Sequence, residues 1–286
     1  MKNTIRSELR KALTNKLLYL SIGIGLVFFG MDVMENRATM GEFDEIIQSL
    51  LDADFRVRTA HTGYSLFYLW SGMLPATRGA VLFYTVWPVL AAMAYGWSYT
   101  EERRSGVYDQ IACRTSGRTY YVAKYVAVFV SGALAVAVPV LVGLLANALV
   151  VPYDPIPSGW NLLGNKNFMA SLFYESHWAF ALVWVGMCGL FGGAAACLCF
   201  AVGTRLRYGV MVILTPYALY VGLDALINSL RTAGLVGTDL VLSPMQMVYA
   251  TPGWANPEWF LFLVLAGLTA LSFGLGYWQV VKHELA

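Results

Sequence analysis

Charge is what this chain has least of: Asp, Glu, Lys and Arg make up 13% of its 286 residues, while apolar side chains make up 58%. A soluble domain carries about 25% charged and about 45–50% apolar residues, so water is not this chain's main solvent. Histidine is scarce too. His61, His177 and His283 lie in separate segments, and the ligand clusters that zinc needs are missing. The four cysteines imply no disulfide framework. Cys188, Cys197 and Cys199 share one apolar block, where Cys packs as a small apolar residue, and Cys113 reads as a plain thiol in a basic loop, with a reactive thiol beside Arg114 as the other reading. A formal charge of +2 gives no reason to expect nucleic acid as a partner. The nearest thing to a phosphate loop is GWNLLGN at 159–165, which has Asn where Lys is required. The apolar blocks hold no His with an acid and no Ser with a base, the clusters that a membrane-embedded enzyme needs. Repeats of fixed period and low-complexity tracts are also lacking, which excludes a solenoid.

What is present is long apolar runs separated by short polar segments, the pattern of a multi-span helical bundle forming one membrane domain over 1–286. Six spans are expected, at 17–31, 79–99, 125–151, 178–202, 208–226 and 259–281. The first reaches the required length of about 20 residues only if 12–16 begin the same helix. Prolines 88, 139 and 216 fall inside spans, where kinks are tolerated. The start of the chain is basic like a signal peptide, but no small-x-small cleavage site follows, so a retained first span is expected. Within 1–16, Ile5, Leu9 and Leu13 recur every four residues beside Arg6, Arg10 and Lys11. This reads as a helix lying at the membrane surface, with a charged cap on the first span as the other reading.

Between Asp32 and Arg78 the chain turns polar, and 32–78 is expected to be an outer segment. In it Phe43, Ile46, Ile47, Leu50, Leu51 and Phe55 sit at helical spacing, and 64–74 is apolar but half a span long, suited to the interface or to packing over the bundle. The orientation follows from the basic residues. With the N-terminus inside, thirteen of the nineteen Lys and Arg fall in inner segments and six in outer segments about twice as long, which places both termini in the cytoplasm. Asn147, Asp224 and Asn228 fall toward the outer span ends, where a polar group lines a pathway or reaches interfacial water. Gly186, Gly189, Gly192 and Gly193 give the fourth span a small-residue face for close helix packing, within one subunit or against a second.

The most informative stretch is 99–125, YTEERRSGVYDQIACRTSGRTYYVAKY. Glu101 and Glu102 follow a span directly. Arg103, Arg104, Ser105 and Gly106 then lead into a short helix-like piece carrying Val107, Tyr108 and Ile111, and Ser116-Gly117-Arg118 turns back toward Lys124 and the next span. This loop, 100–124, resembles the cytoplasmic loop of type-2 ABC transporter permeases. Glu102, Arg103, Ser105 and Gly106 match where the family's loop begins, and Arg118 and Lys124 match where it ends. Thr115-Ser116-Gly117 departs from the family's usual Pro-containing turn, and Arg104 stands where the family often has a second acid.

The resemblance covers about a tenth of the chain and implies an all-α, six-span exporter permease of the cell membrane, of the bacterial cytoplasmic kind. It implies a coupling helix that sits on separate cytoplasmic ABC ATPase subunits, with Glu101, Glu102, Arg103, Arg104, Ser105, Gly106, Val107, Tyr108, Ile111 and Arg118 as coupling residues. It also implies a second permease copy or a related permease, with membrane lipid around the pair. ATP and Mg would be held by the partner ATPase, and no cofactor by this chain. A hydrophobic or amphipathic cargo would suit the aromatic, apolar spans, though composition does not exclude a polysaccharide. The competing reading is a passive channel or scaffold, which needs no coupling loop.

Overall fold

The computed structural model describes residues 2–52, 65–70, 72, 76–112, 115–153, 163, 167–206, 208–237, 241–248 and 256–284. Among these residues the chain is all-helical, with no strand. In order the helices are α1 (Lys2–Leu13), α2 (Lys16–Asp52), α3 (Leu66–Leu69), α4 (Arg78–Tyr95), α5 (Ser98–Arg104) and α6 (Val107–Ala112). There follow α7 (Gly117–Val150), α8 (Ala170–Glu175), α9 (His177–Gly203), α10 (Gly209–Thr232) and α11 (Glu258–Glu284). Among the described residues six stretches are long and apolar enough to cross a membrane, Lys16–Glu42, Arg78–Arg104, Gly117–Val150, His177–Gly203, Gly209–Thr232 and Glu258–Val280. This is a multi-pass membrane protein.

The first span differs from the expectation at both ends. Of residues 12–16 only Lys16 belongs to its helix, because the chain breaks at Thr14 and Asn15. The Asn15 carboxamide accepts from the Leu17 N–H at 3.0 Å and donates to the Ala94 carbonyl at 3.2 Å, so it starts α2 and ties it to α4. At the other end the helix does not stop where polarity begins at Asp32. It runs on through 36–52, a length of 37 residues or about 55 Å, well beyond a bilayer core of about 30 Å. The residues after Asp32 are mostly good helix formers with no proline, so the change in polarity alters which neighbours the helix meets without ending it. The amphipathic stretch read at 43–55 is therefore, as far as Asp52, the extension of α2, and 53–55 lie outside the described residues.

Helix α9 is the centre of the bundle. Of its most apolar window 83% is buried, against 22% for α10 and for α11, so those two helices stand at the periphery. Small residues make this possible: a Cβ on Gly192 would lie 2.7 Å from the Gly132 carbonyl oxygen, and one on Gly132 2.4 Å from the Ala196 Cβ. Backbone therefore meets backbone where α7 crosses α9. Gly189 and Gly193 likewise face Ala133, Ala137 and Phe129 of α7, so of the expected glycine face Gly189, Gly192 and Gly193 are used within the chain and Gly186 is not. Cys188, Cys197 and Cys199 are buried free thiols in the same helix. The short α3 packs over the bundle, with Leu66 and Phe67 fully buried and Phe67 against His177 at 5.3 Å between ring centroids.

Successive spans run in opposite directions, which brings the start of α2, the α4–α5 junction and the start of α7 to one end, called here the α1 end. The Tyr121 hydroxyl of α7 donates to the Phe273 carbonyl of α11 at 3.0 Å, and Thr204 bonds Gln279, so the close of α11 lies at that end too.

Candidate functional site

The loop between the second and third spans folds compactly at the α1 end. Helix α5 ends at Ser105, whose hydroxyl donates to the Glu101 carbonyl at 2.8 Å, and Gly106 follows with φ +74°, a left-handed conformation that favours glycine. The chain then makes the single turn and a half of α6 and re-enters the bundle at Ser116, whose Oγ caps α7 by accepting from the Thr119 N–H at 3.4 Å.

Inside this loop lies a buried ionic node. Lys124, on α7, has no exposed surface; its Nζ lies 2.7 Å from Glu102 Oε1 of α5 and 3.2 Å from Glu8 Oε2 of α1. It also donates to the Tyr95 hydroxyl of α4 at 3.2 Å and lies 4.6 Å from that ring's centroid. Tyr95 in turn donates to Glu8 Oε2 at 3.3 Å, and Tyr120 donates to Glu102. At the edge, Lys11 Nζ sits 2.6 Å from Glu8 Oε1 and 3.9 Å from Glu102 Oε1. Two ammoniums and two carboxylates thus make a neutral set whose remaining acceptor sites are met by tyrosine hydroxyls, the condition under which buried ions are tolerated. Burial pushes the Glu8 carboxyl up, but the Lys124 and Lys11 ammoniums outweigh it and hold it below the usual carboxylate range.

The residues singled out in the sequence divide around this node. Glu102 is part of it, and Lys124 is its centre. Tyr108 and Ile111 turn inward and pack on the aromatic cluster, with Tyr108 edge-on to Tyr99 at 5.5 Å and to Tyr120 at 5.7 Å. Val107, Glu101, Ser105 and Arg118 are exposed, as is Arg104. Arg103 donates from Nη1 to the Thr204 carbonyl at 2.8 Å, joining the loop to the end of α9. Cys113 and the 159–165 glycine segment, apart from Leu163, lie outside the described residues, as does His61.

Sequence reasoning did not find Glu8, Tyr95 or Tyr120. The one usable signal was that Glu8 is the sole acid in 1–16, on the α1 face that also carries the buried Ala12. The Ile5, Leu9 and Leu13 stripe is not the buried face of α1: Leu13 is 38% exposed, and the three line a shallow groove with Arg6 and Arg10.

A second polar node lies at the far end of the bundle. Asp32 of α2, fully buried, accepts from the Thr77 hydroxyl at 2.5 Å and from the Asn147 amide of α7 at 2.9 Å. Asn36, one turn on, donates to Asn147 Oδ1 at 2.8 Å. Thr77 also caps α4, accepting from the Ala80 N–H at 3.2 Å. Helices α2 and α4 are in backbone contact here, since a Cβ on Gly79 would fall 2.1 Å from the Phe28 carbonyl oxygen. Of the polar residues expected near outer span ends, Asn147 belongs to this node. Asp224 and Asn228 pair with each other at 3.1 Å on the exposed side of α10.

Among the described residues no three His, Cys, Asp or Glu side chains converge in the manner of a metal site. No protein-family model matches the chain, and no curated protein matches it.

Proposed function

We propose that the chain is the membrane-spanning subunit of an ATP-driven exporter, with the α1 end in the cytoplasm and α6 as the contact with a separate ATPase. The observation that carries this reading is the ionic node. The loop that resembles a permease coupling loop is clamped by Lys124 to the third span, through Glu102 to the second, and through Glu8 to α1. A short helix held at both ends and from below passes a push on its outer side to the helices beneath as rigid-body movement. Tyr108 and Ile111 serve this from the inner side of α6, while Val107, 38% exposed, is the apolar side chain offered outward. The ATPases would hold ATP and Mg, and no residue of this chain would do covalent chemistry. Transport would follow from the differing stability of the pathway's conformations with and without ATP-driven closure. A second copy or a related permease would complete the pathway, and the apolar, aromatic spans suit a hydrophobic or amphipathic cargo such as a peptide, an antimicrobial compound or a lipid-like molecule.

The test is affinity purification from native membranes in mild detergent, with mass spectrometry of the bound proteins and an assay of ATP hydrolysis. A soluble ATPase with a phosphate-loop motif should come along, and Val107→Asp should reduce its yield about tenfold, the loss expected when an interface's apolar anchor becomes a charge. A pure chain without ATPase, or yield unaffected by Val107→Asp, would favour a channel or scaffold.

A further inference from the structure

A cavity of about 790 Å³ opens at the α1 end between α5, the close of α9 and the start of α10, apart from the ionic node. Its walls carry Arg103, Arg104 and Arg205, its floor has the buried Thr100 and Thr204, and Tyr208 stands at its rim, 65% exposed. Among the described residues no carboxylate lies within ion-pair distance of Arg104 or Arg205. Arg205 meets a neutral group, the Gln279 carboxamide, which in the orientation that satisfies both partners accepts from Nη2 at 3.0 Å. Among the described residues, Arg104 and Arg205 therefore bring positive charge to a concave space without a carboxylate beside them. Helix α10 begins at the same place and has no side-chain cap, so its first-turn N–H groups add to the positive end.

The surroundings say what kind of anion fits. Exposed aromatic rings at Tyr208 and at Trp278, 60% exposed beside Gln279, mark the depth at which lipid head groups lie. From the rim, Val210, Met211 and Leu214 run along α10 as an exposed apolar strip, at 71%, 58% and 47%. A free phosphate has no use for such a strip, whereas acyl chains do. Arginine forks match phosphate oxygens in pairs, and basic pockets between span ends are a recognised way of holding acidic head groups.

We propose that this cavity is a binding site for the phosphate of an anionic phospholipid, with Arg104 and Arg205 on the phosphate and the acyl chains along α10. The inference needs only that the chain spans a membrane and stands whether or not it is an exporter subunit.

The experiment is native mass spectrometry of the purified, delipidated full chain titrated with dioleoyl phosphatidylglycerol or dioleoyl phosphatidylcholine, and separately with inorganic phosphate alone. Phosphatidylglycerol should bind at least about tenfold tighter than phosphatidylcholine. Arg104→Gln with Arg205→Gln should weaken it about tenfold or more, the loss expected for hydrogen bonds to a charged group. Arg6→Gln with Arg10→Gln, which removes the same charge from α1, should leave binding unchanged. Equal binding of the two lipids by the wild-type chain overturns the proposal even if the double variant does not fold. An equal loss in the α1 variant overturns it in favour of diffuse attraction, and phosphate alone displacing the lipid at comparable affinity overturns it in favour of a free-anion site.

Discussion

The two polar nodes tie the second and third spans at opposite ends, one to α1 and the other to α2, and do so by different physics. At the α1 end, one lysine is shared by two carboxylates from different helices, with a second lysine at the edge. Charges attract over a range of directions, so such a set tolerates small shifts of its helices. At the far end, Asp32, Thr77, Asn36 and Asn147 are joined by hydrogen bonds that weaken steeply with angle, next to a backbone contact at Gly79 that leaves no room for a Cβ. The first arrangement suits a joint through which a surface loop moves its spans. The second suits a fixed point about which they move.

The comparison is broken most severely by Lys124→Met, which leaves Glu8 and Glu102 facing each other without their shared cation. Removing one partner of a buried ionic set costs about 3–5 kcal/mol, so the detergent-solubilised protein should melt well below wild type. Adding Glu8→Gln and Glu102→Gln to that variant should restore much of the loss, because no charge then stays buried alone. Failure of the triple variant to recover would argue against a purely ionic node. Next in size is Asp32→Ala, which leaves the Thr77 hydroxyl and the Asn147 amide without their acceptor. It should cost about 1–3 kcal/mol, and adding Glu8→Gln should give a roughly additive loss if the two ends are independent.

A smaller effect appears on acidification. The folded carboxyl of Glu8 is held below its ordinary value of 4.5, so its contribution is fully present above that value and is lost as pH falls through the lower folded value. Melting followed from neutral pH to below that range should fall less steeply for Glu8→Gln than for wild type, and parallel curves would contradict the node's electrostatics. Smallest is Asp224→Ala, whose pairing with Asn228 is exposed and should be worth under about 0.5 kcal/mol in the same assay.

Much of the bundle was legible because a span announces itself locally, as a run of apolar residues of sufficient length. The six runs and the six span-length helices correspond. Gly189, Gly192, Gly193 and the cysteines of α9 are packing positions within the chain, as small apolar residues in a crowded helix would be, while Gly186 meets open space. The nodes were not legible, because each joins residues far apart in sequence, such as Glu8 with Lys124 or Asp32 with Asn147. Asp32 misled for a physical reason: an acid after an apolar run reads as arrival in water, yet here it faces the neighbouring helices and is met by amide and hydroxyl donors. Tyr108 was read as a contact for a partner, and its place in an aromatic cluster became visible only with Tyr99 and Tyr120 beside it.

The most direct test of the coupling account puts a photo-activated cross-linking residue at Val107 of α6 in native membranes, with Leu149, 89% exposed at the far end of α7, as the control position. The account predicts that position 107 is captured by a polypeptide with a phosphate-loop motif, that capture changes when ATP is depleted, and that position 149 never captures it. Capture of lipid alone at position 107, or the same partner at both positions, would contradict it.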